Sequence, residues 1–99
     1  MCLCGNLEFK DLFLNFAASY TLNGYIVMMP PVLNNPDIIT EEEKTIINEV
    51  QKAKIAEADL VFIINYQGQI DSETKNQINW ATQLGKKIEY LENEIDWQS

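Results

Sequence analysis

Five consecutive apolar residues, Leu60–Ile64, limit the folds open to this chain more than any other stretch. The run consists of branched and aromatic residues and lacks the polar alternation of a strand with one face in water. It predicts a strand that is buried on both faces, as in a parallel sheet covered by helices. It is also far shorter than the roughly 20 residues that cross a membrane, so we expect no transmembrane segment.

Helix-length and strand-like segments alternate along the rest of the chain. Short strands are predicted up to Gly5, over 25–29 and over 87–91, and three helices are predicted between the strands. The expected inner faces of these helices are, in chain order, Phe9, Leu12, Phe13, Phe16 and Tyr20; then Ile46, Ile47, Val50, Ala53 and Ala56; then Ile78, Ala81 and Leu84.

Local signals mark the ends of these helices. Asn6 is a candidate N-cap and Asn23–Gly24 a stop for the first helix, whereas Thr40–Glu43 has the pattern of a capping box. Asp71 or Ser72 is expected to cap the third helix.

The order β-α-β-α-β-α-β predicts the α/β class, with parallel strands joined by crossover helices. We expect a small doubly wound, flavodoxin- or Rossmann-like three-layer domain with a four-stranded parallel sheet over residues 1–92, followed by an acidic tail over 93–99. Such sheets bind ligands beyond the carboxyl ends of their strands.

The charge balance excludes several kinds of chemistry. Fifteen Asp and Glu face seven basic residues, all of them lysine, and the net charge is −8. Without histidine or arginine there is no imidazole relay, no histidine zinc ligand and no guanidinium fork for phosphate. We expect no metal and no cofactor, and no direct binding to nucleic acid or to an anionic membrane.

The surplus acids are concentrated in two segments. Residues 37–49 hold five acids and one lysine, a net charge of −4, and residues 89–96 hold four more acids. Charged runs are most often solvated surface. The alternative is a surface for a basic partner, for which the candidate residues are Glu41, Glu42, Glu43, Glu92 and Glu94.

The amino-terminal sequence indicates the cellular compartment. It has no basic segment followed by a long apolar stretch, as a secretory signal would. Cys2 and Cys4 are two residues apart on a predicted strand, poorly placed to bridge each other. We expect both to be reduced and buried in a cytoplasmic protein.

Candidate ligand-binding residues follow the predicted strands. Gly5 and Asn6 follow the first strand, a loop over 30–37 follows the second, and Asn65–Ser72 follows the third. Amide, carboxylate and hydroxyl groups here precede a helix, whose N-terminus suits an anion or a sugar hydroxyl. The alternative is that these residues only form turns and caps.

Four segments, Leu3–Lys10, Thr21–Val27, Lys54–Asn65 and Ala81–Glu92, share patterns with one protein family. They resemble the nucleoside 2-deoxyribosyltransferase-like superfamily, often phage-borne in its small members. Leu3–Lys10 is similar to that family's LCGSTRFK, and Thr21–Val27 to TLxGxIV. Lys54–Asn65 is similar to KIxxADxxxVIN, and Ala81–Glu92 to AxxLGKxxxYLE. The resemblance covers residues 2 to 92 in order.

The resemblance implies a pocket for a nucleoside or nucleotide, and in active members a glutamate nucleophile that forms a glycosyl-enzyme intermediate. The family segment GGYIGESTRREIEYA aligns with residues 67–81, which puts Gln77 at the glutamate position, Gln69 at a tyrosine and Asp71 at a glycine. An amide cannot be a carboxylate nucleophile. We therefore expect a protein without catalysis, encoded by a phage or mobile element, that binds a nucleoside-like or nucleotide-like ligand. Its expected contacts are Gly5, Asn6, Asn65, Gly68, Gln69, Asp71, Ser72 and Gln77.

Two alternatives stay open. One is an acidic inhibitor, for example an anti-defence protein, that occupies a basic nucleic-acid-binding surface of a host enzyme in the host cytoplasm. The other is an active N-glycosidase or deoxyribosyltransferase that uses Glu73 or Asp71. As an acid/base pair these two residues are discarded, because residues i and i+2 on a helix point about 200° apart and cannot flank one bond. By resemblance, a homo-oligomer is also an expectation.

Overall fold

The computed structural model describes residues 1–33 and 35–92, and its centre is a parallel β-sheet. Strands β1 (Cys2–Gly5), β2 (Leu60–Ile64) and β3 (Lys87–Tyr90) lie in the order β1-β2-β3, and both neighbouring pairs are parallel. The predicted α/β class with a parallel sheet is confirmed.

The predicted strand over 25–29 reaches the sheet at one point only. It forms an isolated parallel bridge between Met28 and Cys2, on the side of β1 away from β2. The Met28 N–H donates to the Met1 carbonyl at 2.8 Å, and the Met28 carbonyl accepts from the Leu3 N–H at 2.8 Å. Two prolines follow directly, and proline has no N–H with which to extend a ladder. The described residues thus form three strands and a bridge where four strands were predicted.

Three helices cover the two faces of the sheet: α1 (Lys10–Leu22), α2 (Glu41–Glu57) and α3 (Ser72–Gln83). Apolar side chains of α1 pack with Leu3, Phe62 and Ile64 on one face, whereas those of α2 and α3 pack on the other. This arrangement has three layers and is compatible with a doubly wound fold.

The helix ends follow the predicted signals. Asn6 caps a short 3₁₀ turn ahead of α1, where its Oδ1 accepts from the Glu8 N–H at 2.9 Å. Gly24, with a φ of 92°, lies just beyond the end of α1. At α2 the Thr40 hydroxyl accepts from the Glu43 N–H at 3.1 Å, and the Glu43 carboxylate accepts from the Thr40 N–H at 2.9 Å. Hydrogen bonding to the Glu43 carboxylate, from the Thr40 backbone N–H first and then from the Thr40 hydroxyl, holds the pKa of Glu43 below its usual value.

The inner face predicted for α2 is wrong in part. The residues of α2 that are buried against the sheet are Gln51 and Ile55, whereas Ile46 is 62% exposed and Val50 is 48% exposed. Ala53 is exposed too. The helix carries two apolar stripes, and periodicity does not tell which one a sheet will cover.

The inner face of α3 is confirmed at Ala81, which is fully buried. Leu84, expected beside it, lies just past the end of the helix and is 51% exposed. Thr74 and Gln77 are buried in its place, so two polar side chains lie inside this layer.

The two cysteines are buried, free thiols, as predicted. The Gln51 amide lies over β1 and donates through Nε2 to the Leu3 carbonyl at 3.0 Å, with the sulfur atoms of Cys2 and Cys4 each 3.4 Å away. The hydrogen bond with Cys2, followed by burial, raises the pKa of the Cys4 thiol well above its ordinary value. A buried, protonated thiol is a poor nucleophile.

Neither a membrane-spanning helix nor a metal-binding cluster of side chains is found within residues 1–33 and 35–92. None of the helices there combines the length and the apolar character needed to cross a bilayer. No three or more Cys, Asp or Glu side chains in the same ranges are grouped so that they could hold a metal ion.

Candidate functional site

A cleft of about 210 Å³ opens at the carboxyl edge of the sheet. The chain leaves β1 toward the Met28 bridge and leaves β2 toward β3, so the two connections diverge between these neighbouring strands. A crevice at such a point of divergence is where doubly wound sheets bind ligands. The turn after β1 forms one wall of the cleft, and the N-terminus of α3, the helix that follows β2, forms another.

The other wall comes from the loop before α2 and from the first turns of that helix. The residues that line the cleft include carboxylates, amides, one lysine and aliphatic side chains: Asn6, Leu7, Glu8, Asp37, Ile39, Lys44, Ile47, Asn48, Asp71, Ser72 and Glu73. Each of the three chain segments predicted to form this edge contributes at least one of them.

The charge of the lining is negative. Four carboxylates, those of Glu8, Asp37, Asp71 and Glu73, face one cation, Lys44. The Lys44 ammonium lies 3.5 Å from the exposed Glu41 carboxylate. This ion pair weakens the attraction of Lys44 for a bound anion. The cleft therefore favours hydroxyl and amine donors over a phosphate group.

Three of the predicted ligand-binding residues, Asn6, Asp71 and Ser72, line this cleft. Asp71 also caps α3, since its Oδ1 accepts from the Thr74 N–H at 2.9 Å. Its backbone is extended, with φ −78° and ψ 172°. The helical spacing assumed for Asp71 and Glu73 thus does not apply, and both residues line the same cleft.

Gly5 and Asn65 were also predicted to bind the ligand, but in the structure Gly5 allows close packing and Asn65 makes hydrogen bonds within the fold. A Cβ on Gly5 would lie 2.9 Å from the Ile64 carbonyl oxygen and 3.3 Å from the Phe13 ring, so glycine allows close packing of β1. The fully buried Asn65 side chain bonds both backbone groups of Glu92: it accepts from the N–H at 2.8 Å and donates to the C=O at 3.1 Å.

The turn between β2 and α3 follows a course that its sequence did not indicate. Residues Tyr66–Gly68 form a 3₁₀ turn in which Gln67 has a positive φ of 55°. The Gln67 N–H donates to the Glu92 carboxylate. Neither Gly68 nor Gln69 is among the described residues that line the cleft.

Gln77, which the resemblance aligns with the family's glutamate, is only 6% exposed. Its Oε1 has no hydrogen-bond partner within the described residues, and neither has the Thr74 hydroxyl one turn before it. Gln77 is not among the described residues that line the cleft, so the structure places it inside the α3 layer.

Neither a family model, nor a curated protein, nor a solved structure matches the chain.

Sequence reasoning missed several residues of the cleft. Glu8, Lys44 and Asn48 were not predicted as ligand contacts, although all three line it, and Asp37 was predicted only as part of the loop over 30–37. Glu8 lies two residues after Asn6 in the strand–Gly–Asn pattern, so the same pattern could have predicted Glu8 as a ligand contact. Asn48 comes from the second turn of a helix, and only the tertiary fold brings that turn to the carboxyl edge.

Of the acidic residues predicted to meet a partner, Glu41, Glu42 and Glu43 are exposed on the first turn of α2. Glu92 is half-buried and is held by Asn65 and Gln67. Glu94 and the acidic tail over 93–99 lie outside the described residues.

Proposed function

We propose that this protein binds a neutral, nucleoside-like molecule in the cleft at the carboxyl edge of the sheet and does not cleave it. The observation that carries the proposal is the convergence of Asn6, Asn48 and the Asp71–Glu73 segment on one cleft between the ends of β1 and β2. Clefts of this kind orient a small molecule through convergent polar groups, and here those groups lie beside the apolar side chains of Leu7, Ile39 and Ile47.

The lining supplies the groups that a nucleoside would use. Carboxylates such as Glu73 accept hydrogen bonds from sugar hydroxyls or exocyclic amines, and the amide of Asn48 both donates and accepts. Ile39 and Ile47 offer apolar surface to the flat face of a base. The resemblance to nucleoside 2-deoxyribosyltransferase-like proteins supports the same class of ligand.

The negative lining makes the nucleoside a better ligand than its phosphate ester. A 5′-phosphate would add negative charge to a cleft that already holds four carboxylates and one lysine. Arginine, the residue best suited to phosphate, does not occur in the chain.

The absence of catalysis is proposed from Gln77 and from its position. An amide at the glutamate position cannot form a glycosyl-enzyme bond, and this amide is buried outside the cleft lining. Glu73 and Asp71 do line the cleft, which keeps an N-glycosidase as the competing function. Incubation with deoxynucleosides, followed by chromatography, distinguishes the two: we expect no free base, either from this protein or from its Gln77→Glu variant.

The finer fold assignment is part of the same proposal. We infer a flavodoxin- or Rossmann-like domain in which residues 25–29 take the place of an outer fourth strand. The support is the parallel bridge at Met28, on the outer side of β1.

The selectivity for an uncharged ligand gives a direct test. In the Glu8→Lys variant we expect affinity to shift from adenosine or thymidine toward the corresponding 5′-monophosphate. The ratio of the two dissociation constants should change by about tenfold, since one anion of the lining is replaced by a cation. Calorimetric titration of each ligand measures both constants.

Glu57→Lys is the matched control for this experiment. Glu57 is exposed at the far end of α2, beside the start of β2, and its replacement changes the net charge equally. In Glu57→Lys the ratio of the two dissociation constants should equal that of the parent protein. Equal shifts in both variants, or a parent protein that prefers the monophosphate, would contradict the proposed selectivity.

The alternative of an acidic inhibitor rests on other residues. Glu41, Glu42 and Glu43 are exposed and follow one another on one helical turn, so they form a strong local negative charge. An interaction at this surface does not require an occupied cleft.

A further inference from the structure

An apolar surface on α2 and on the loop before it faces away from the sheet. Ile46 is 62% exposed and Val50 is 48% exposed, and Ala53 continues the same stripe. These residues are spaced by four and three, so they share one face of the helix. The opposite face, with Gln51 and Ile55, packs on the sheet.

A groove of about 340 Å³ lies beside this stripe. Its walls are mostly apolar: Pro31, Leu33 and Ile39 come from the loop, and Ile46 and Ile47 come from α2. The loop exposes two further aliphatic residues that are neighbours of these in sequence, Val32 at 43% and Ile38 at 75%. A contiguous apolar patch of this kind on a small domain marks a surface for another molecule.

The rim of the groove is acidic. Glu43 lines the groove, and Glu42 and Glu49 are exposed on the same helix. Residues 37–49 carry a net charge of −4. Apolar anchors within a negative rim complement a segment that is apolar on one side and basic on the other.

We propose that this surface, named here the α2 groove, docks a basic amphipathic helix of a partner protein. Apolar side chains of the partner, spaced by three and four residues, fill the groove and pack on Ile46 and Val50. Its lysines or arginines lie against Glu42, Glu43 and Glu49. The proposal does not rest on ligand binding in the carboxyl-edge cleft.

Charge argues against a second copy of the chain as the occupant. Each copy carries −8. Two α2 helices packed antiparallel about Val50 would bring Glu49 close to its own counterpart. Such a contact places like charges together at a surface that is already acidic, and this opposes association.

The probe for this proposal is a fluorescein-labelled synthetic peptide of about 18 residues, made of leucine and lysine with leucines on one helical face. A peptide of the same composition in scrambled order and a leucine–glutamate peptide of the same pattern are its controls. Fluorescence anisotropy at ~50 mM and ~300 mM salt gives the affinities, because salt screens the charged rim more than the apolar anchors. We expect binding of the patterned basic peptide only, and weaker binding at the higher salt.

Variants then locate the contact. The double substitution Ile46→Ser and Val50→Ser should weaken binding by about tenfold or more, whereas Leu22→Ser, at an 88% exposed position on α1, should change it less than about twofold. The pair Glu42→Gln and Glu49→Gln should weaken binding at low salt and flatten its salt dependence. A benzophenone at a central leucine of the peptide should cross-link the parent protein within residues 31–50, a readout that needs no variant.

Four results would overturn the proposal. They are equal binding of the scrambled peptide, unchanged binding by the Ile46 and Val50 variant, cross-links confined to other segments, and sedimentation of the parent protein as a dimer that Ile46→Ser dissociates. The last result would show that a second copy covers the groove.

Discussion

Replacing Phe13 with alanine lowers the free energy of unfolding by about 3–5 kcal/mol, a large part of what a domain of this size has. Phe13 is the residue of α1 that is most completely buried, at 2% exposure. It packs with Leu3, Phe62 and Ile64 on the face of the sheet that α1 covers. The Phe13 ring also lies 3.3 Å from the position that a Cβ on Gly5 would occupy. Because Gly5 has no side chain, it cannot fill the cavity that the alanine substitution leaves. Urea denaturation followed by circular dichroism measures the loss.

Leu14 is the matched control for Phe13. It is the next residue of the same helix and is 49% exposed, so Leu14→Ala should cost less than about 1 kcal/mol. If the two substitutions cost the same, α1 does not pack on the sheet through Phe13, and the layer order described above is wrong.

Replacing Gln51 with glutamate destabilises the protein by about 3–5 kcal/mol at neutral pH. The Gln51 amide is 1% exposed and donates to the Leu3 carbonyl. A carboxylate there would lose that donor and face the carbonyl oxygen and two sulfur atoms with a negative charge. Burial without a partner raises the pKa of the new carboxyl above the ordinary glutamate value of about 4.3.

The pH dependence of this loss follows from the direction of the pKa shift. A group whose pKa is higher in the folded state stabilises the fold below its unfolded pKa and loses that contribution as pH rises through the folded pKa. The stability gap between Gln51→Glu and the parent protein should therefore widen from about pH 5 to pH 8. Chemical denaturation at several pH values measures it.

Gln51→Met separates charge from shape in this experiment. Methionine has a similar length, adds no charge and also removes Oε1, which has no hydrogen-bond partner within the described residues. We expect it to change stability by less than about 1.5 kcal/mol, with no dependence on pH. A glutamate variant as stable as the methionine variant at pH 8 would show that water reaches position 51.

Elements with a local cause were predictable from the sequence. The ends of α1 and α2 follow from Gly24 and from the Thr40–Glu43 capping box, and β2 follows from its unbroken apolar run. The single bridge formed by 25–29 was less predictable, because the pairing of this segment depends on where the chain goes after Met28. Which side of α2 packs on the sheet depends on the surface that the sheet presents to the helix. The periodic pattern of α2 alone carries no information about that surface.

The sequence predicts the place of the candidate site better than its residues. The rule that ligands bind beyond the carboxyl ends of parallel strands predicts a site at the edge of the sheet where the structure has a cleft. The rule did not distinguish side chains that line the cleft, such as Asn6, from side chains that make hydrogen bonds within the fold, such as Asn65. Both are polar residues directly after a strand, and only their hydrogen-bond partners distinguish them.

The central claim is that an uncharged nucleoside occupies the carboxyl-edge cleft. Titration of the ¹⁵N-labelled protein with adenosine and with thymidine, followed by amide chemical shifts, tests it most directly. We predict saturable shifts at Asn6, Asn48 and Ser72 with at least one of the two, and smaller shifts there with the 5′-monophosphate. An absence of saturable shifts at these amides with both nucleosides, or shifts confined to residues outside the cleft, would contradict the account.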